Sequence, residues 1–160
     1  MGDAQDGPAL TSSVPFLVTL PETTLSISDY LAALLAAPDV GAALAAANHL
    51  RALVSRKDDD GSAVAAISAD GAGVARLVEL LAHEACPELQ LEAAWIVTNL
   101  CASEWTRVAV AAGAIPSLVR LLASSSPKLV EQAVWSLGNP VCQIHTLRDD
   151  STSLLLFQYR

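Results

Sequence analysis

A period of about 40 residues runs through the middle of this chain and leaves few folds open to it. Glu92-Ala93-Ala94-Trp95-Ile96-Val97-Thr98-Asn99 returns in altered form as Gln132-Ala133-Val134-Trp135-Ser136-Leu137-Gly138-Asn139. The two tryptophans lie 40 residues apart, and so do the two asparagines. Leu77-Val78-Glu79-Leu80-Leu81-Ala82 returns as Leu118-Val119-Arg120-Leu121-Leu122-Ala123, offset by 41. Apolar spacing in these segments is helical, so each repeat reads as short, medium and long helices. Self-similarity of this kind marks an all-α solenoid, in which each unit buries its apolar face against the next.

The remaining helices follow from their caps. Ser28 can cap a helix through Tyr30, Leu31, Leu34 and Leu35, which Pro38 stops. Asp39 can open a second, through Leu44, Leu50, Leu53 and Val54. Asp58-Asp59-Asp60-Gly61 reads as a solvated break. A short helix over 62–68 ends at Asp70-Gly71, and the stripe Val74, Leu77, Val78, Leu81 follows. Pro87 suits the first turn of a helix reaching Cys101. A short helix over 104–111, a medium one over 115–123 carrying Pro116, and a long one opened by Ser126-Pro127 repeat the order. The first unit has only a medium and a long helix and lacks the Trp/Asn pair. Domain boundaries follow: an arm over 1–24, a solenoid over 25–139 and a divergent tail over 140–160. Pro140 inside a helix costs about 3 kcal/mol or more, so the pattern is expected to break there.

Composition narrows the function. Of the 160 residues 52% are hydrophobic, yet no run approaches the roughly 18 apolar residues of a membrane span. A net charge of −8 disfavours a nucleic-acid backbone and favours a cationic partner. Cys86, Cys101 and Cys142 form no CxxC pair, and His49, His83 and His145 stand without partners at ligand or triad spacing. No secretory signal, P-loop, G-x-S-x-G elbow or HExxH occurs, so the expectation is a non-enzyme with no metal and no cofactor, in the cytosol or nucleus.

Trp and Asn four residues apart share one helical face. Asn offers a donor and an acceptor to an extended peptide backbone. Parallel indoles make slots for aliphatic stems with cationic ends, at roughly 0.5–2 kcal/mol per cation–π contact. Trp95, Asn99, Trp135 and Asn139 are therefore the candidate peptide-binding residues. Glu92 and Gln132, three residues before each Trp, are candidates for polar contacts. A lone Trp on such a helix is usually core, and Trp105, outside the motif, is read as packing.

Leu89-Gln90-Leu91-Glu92-Ala93-Ala94-Trp95 with Thr98-Asn99, then Gly113-Ala114-Ile115-Pro116, then Glu131-Gln132-Ala133-Val134-Trp135-Ser136-Leu137-Gly138-Asn139 resemble the armadillo repeats of importin-alpha. The resemblance spans roughly 25–139. It implies a right-handed α-solenoid of about two and a half to three armadillo repeats. It further implies an adaptor of the cytoplasm and nucleus that binds basic nuclear localisation signals of cargo for protein import. Thr106 matches a position of the family that contacts the signal's key lysine. The family also implies importin-beta as a partner, through a basic arm; here no Lys or Arg precedes Arg51. The expectation is thus a truncated chain without that arm. A generic armadillo scaffold, or a fragment competing for cargo, is the alternative.

Overall fold

Side-chain caps start the first helices, and the local chemistry explains each. In this computed structural model residues 25–57 and 59–146 are described, with side chains as far as Asn139. The arm over 1–24, Asp58 and the tail from 147 onward lie outside the described residues. Helix α1 (Ile27–Leu35) begins at Ser26 and not at Ser28. Ser26 and Asp29 form a reciprocal capping box: the Asp29 N–H donates to Ser26 Oγ at 3.2 Å, and the Ser26 N–H donates to Asp29 Oδ2 at 2.8 Å. Ser28 lacks an acid at the third position beyond it. Hydrogen bonds from the Ser26 side chain and then its backbone hold the Asp29 carboxyl below its ordinary pKa.

Helix α2 (Val40–Val54) starts at Asp39, whose Oδ1 accepts from the Ala42 N–H at 2.8 Å. In the break before the next helix, Asp59 and Asp60 also serve that helix's first turn. Asp59 accepts from Ser62 Oγ at 2.8 Å and Asp60 from the Ser62 N–H at 3.1 Å, where α3 (Ser62–Ala69) begins. Gly61 enters this helix at φ 91°, a left-handed conformation that favours glycine. Asp70 caps α4 (Gly71–Leu80), accepting from the Gly73 N–H at 2.9 Å. Helix α5 (Pro87–Ala102) has proline in its first turn. The triplet then recurs as α6 (Thr106–Ala111), α7 (Ala114–Leu121) and α8 (Pro127–Thr146). No strand occurs among the described residues.

Helix α8 runs through Pro140 to Thr146, so Asn139 ends the repeat's sequence pattern but not its helix. A proline removes one N–H from the ladder, here the one that would bond the Ser136 carbonyl, and the helix resumes beyond it.

Helix α5 is the spine of the solenoid, packing against α2 on one side and α8 on the other. Leu50, Leu77, Leu89, Ile96, Leu100, Leu118 and Leu129 are fully buried between the units. The repeat also exposes where stacking stops. Val78 and Leu81 are buried, but their equivalents Val119 and Leu122 are 51% and 42% exposed. No described residue stacks on them as α7 and α8 stack on the preceding unit.

Gly73 of α4 packs directly against Leu31 of α1. A Cβ there would lie 2.8 Å from Leu31 Cδ2, and Leu31 is itself buried. Gly73→Ala should therefore destabilise the fold by about 1–2 kcal/mol in urea denaturation, strain exceeding the gain in helix propensity. Gly71→Ala, with nothing within 4 Å of its Cβ, should raise stability by up to about 1 kcal/mol. Equal effects at the two sites would show that the α1–α4 contact is not tight.

Candidate peptide-binding groove

The long helices present the repeated pair. Cross-helix contacts show the stacking register directly. Trp95 Nε1 donates to Ser55 Oγ at 3.1 Å, and Arg51 Nε donates to the Glu92 carboxylate. These pairs are 40 and 41 residues apart and ascend together, so α2 and α5 run parallel with side chains matched turn for turn. Between α5 and α8, Thr98 Oγ1 meets Ser136 Oγ at 2.5 Å and donates to Gln132 Oε1 at 3.1 Å. Thr98 Oγ1 also lies 2.8 Å from the Ala94 carbonyl. This largely buried hydroxyl network ties one rung to the next.

A pocket of about 280 Å³ opens across the three helices, lined by Arg51 of α2, Leu91, Glu92 and Trp95 of α5, and Lys128, Glu131 and Gln132 of α8. Three residues singled out from the sequence thus meet here: Glu92, Trp95 and Gln132. Their roles are sharper than expected. Glu92 is already paired with Arg51. Gln132 is buried, with its amide oxygen engaged by Thr98.

Asn99 sits one turn after Trp95, half-buried, and its Nδ2 donates to the Trp95 carbonyl at 3.0 Å. That contact uses one amide N–H, leaving the second and the carbonyl lone pairs for other partners. On α8, Trp135 is 56% exposed, while Asn139, a turn on, is half-buried. An indole this exposed does not serve the core. Thr106 lies elsewhere, at the start of α6, buried, with Oγ1 2.7 Å from the Cys101 carbonyl and 2.8 Å from that of Ser103. It does not line the pocket. Trp105, expected to pack, is instead exposed at the N-cap of α6.

Arg51, Ser55, Lys128 and Glu131 had not been singled out. Ser55 was within reach of the sequence, since it stands one repeat length before Trp95. Arg51 lies one turn before Ser55 on the same face.

Cys101 is buried among apolar side chains, which push its thiol up to about 12, so it stays protonated and unreactive. Cys86 is only half-buried. Among the described residues no group of three or more His, Cys, Asp or Glu side chains could hold a metal ion. No described helix is long and apolar enough to cross a membrane.

Known proteins share this architecture. The Armadillo/beta-catenin-like repeat family matches residues 106–139, from the start of α6 to the second asparagine. An engineered protein superimposes with a TM-score of 0.62 at 31% identity, covering 71% of this chain and 44% of that one. A designed armadillo repeat protein in complex with the peptide (KR)4 superimposes with a TM-score of 0.62 at 26% identity, covering 72% of this chain and 46% of that one. Fold and repeat define an armadillo-repeat α-solenoid.

Within that class the sequence is similar to importin alpha subunits. Importin subunit alpha-6 of Arabidopsis thaliana is 42% identical over 93 residues, covering 54% of this chain and 17% of the relative. Importin subunit alpha-2 of the same plant is 51% identical over 72 residues, covering 44% and 14%. Importin subunit alpha-1b of Oryza sativa subsp. japonica is 48% identical over 68 residues, covering 41% and 13%. The similarity covers only part of each chain: the matched stretch spans between 13% and 17% of the length of these importin alpha relatives.

Proposed function

We propose that the face shared by α5 and α8 binds extended Lys/Arg-rich peptides, the chemistry of a nuclear localisation signal. The chain then acts as a signal-recognising adaptor for protein import, working between cytoplasm and nucleus. One observation carries this reading: the Trp/Asn pair repeats on parallel, stacked helices, and the second Trp is left 56% exposed. An asparagine every repeat suits an extended backbone, and indoles beside it suit lysine stems. The net charge of −8 adds a long-range attraction for a cationic ligand. The likeness to a designed armadillo protein that holds (KR)4 points to the same class of peptide.

The test is a fluorescence-anisotropy titration with a labelled lysine-rich peptide and a glutamate-rich peptide of equal length. Binding of the first alone, weakening as salt rises, supports the proposal. With only two rungs, an affinity in the micromolar range or weaker is expected, about −8 kcal/mol at most. Equal binding of both peptides, or of neither, overturns it.

A further inference from the structure

The Trp95 rung already holds a cation. Arg51, in the last turn of α2, places its guanidinium carbon 6.0 Å from the centroid of the Trp95 ring, while its Nε donates to the Glu92 carboxylate. One turn further along α2, Ser55 accepts the Trp95 Nε1–H at 3.1 Å, so α2 fixes both the ring and the charge beside it. The Arg51 and Glu92 side chains are partly shielded, 36% and 17% exposed.

We propose that Arg51 is an internal occupant of the Trp95 subsite, standing where a ligand's cationic side chain would otherwise dock. The assignment rests on the peptide-binding reading given above. Three consequences follow from the geometry. A ligand lysine reaching Trp95 meets a like charge in the same pocket. It finds Glu92, the acid on the same helical face as Trp95, already neutralised by Arg51. It must also displace a guanidinium that already makes the cation–π contact it would make. The pocket's second acid, Glu131, is accompanied by Lys128 three residues before it on α8. The pocket as a whole is therefore charge-balanced, and its discrimination against a further cation comes from Arg51. The ligand's cation is directed to the exposed Trp135. Arg51 thus sets which rung reads charge, and Trp95 takes an uncharged stem or backbone.

The experiment compares the wild-type chain, Arg51→Met, Arg51→Gln and the double variant Arg51→Met/Glu92→Gln against the labelled lysine-rich peptide, with circular dichroism confirming the fold of each. Removing the occupant while keeping its stem should tighten binding about five- to tenfold, the size of one cation–π contact made available. Arg51→Gln should do the same. The double variant should fall back towards wild type, because the uncovered carboxylate is what attracts the second cation. A merely structural role for Arg51 predicts weaker binding in every variant. If the wild type binds and the two single variants bind equally or more weakly, the internal-occupant assignment is overturned and the peptide-binding function stands. If no form binds, both fall.

Discussion

Leu81→Ala should lower the free energy of unfolding by about 2–4 kcal/mol, and Leu122→Ala by about 0.5 kcal/mol or less. The two leucines hold the same place in successive repeats, at the C-terminal caps of α4 and α7. Their backbones are nearly identical, φ −61° and ψ −21° against φ −62° and ψ −23°. Helix propensity and capping therefore cancel between them, and the difference isolates packing. Leu81 is 1% exposed because the next repeat covers it, whereas Leu122 is 42% exposed. Truncating Leu81 loses its transfer energy and leaves a cavity. Truncating Leu122 removes a side chain that still meets water. Urea denaturation of both variants measures the gap. A loss at Leu122 as large as at Leu81 would show that something covers the α7 face in solution, whether a second copy or residues outside those described.

The repeat was legible because it is written twice. A period of 40 with Trp and Asn in the same places fixes helix type, stacking partner and exposed face together, and the structure returns all three for α5 and α8. Helix starts were legible where a single aspartate or proline decides them, as at Asp39, Pro87 and Pro127. One was missed where two residues cooperate: Ser26 outcompetes Ser28 only through Asp29. The start of α3 at Ser62 was legible, though not the bonds that Asp59 and Asp60 accept from Ser62 there. Arg51 was missed for a different reason. Helix α2 lacks the Trp/Asn pattern, so Arg51 could be reached only indirectly, by counting one repeat length back from Trp95 to Ser55 and then one turn further. The charge at the site was misjudged accordingly. Glu92 read as an acid open to a ligand, but its partner comes from another unit of the solenoid.

Trp135→Ala should weaken lysine-peptide binding about thirtyfold, the effect of losing one anchoring side chain, and change stability by about 0.5 kcal/mol or less. Trp135 is 56% exposed, so its removal leaves no cavity in the core. Trp95→Ala should behave differently. It abolishes the Nε1–H bond to Ser55 and leaves Arg51 without its ring, so stability should fall by about 1–2 kcal/mol. Its effect on binding should be smaller than that of Trp135→Ala, because the contact it removes is made chiefly to Arg51. This ordering is unusual for two members of one repeated motif; the greater exposure of Trp135 contributes to it, and the part that the internal occupant adds is what the Arg51→Met background removes. In an Arg51→Met background the two tryptophans should become more nearly equal in their contribution, since both rings then face the ligand. Anisotropy titrations of the four combinations, with thermal melts in parallel, separate the cases. Equal losses at Trp95 and Trp135 in the wild-type background would mean that both rungs already read the ligand and that Arg51 displaces nothing.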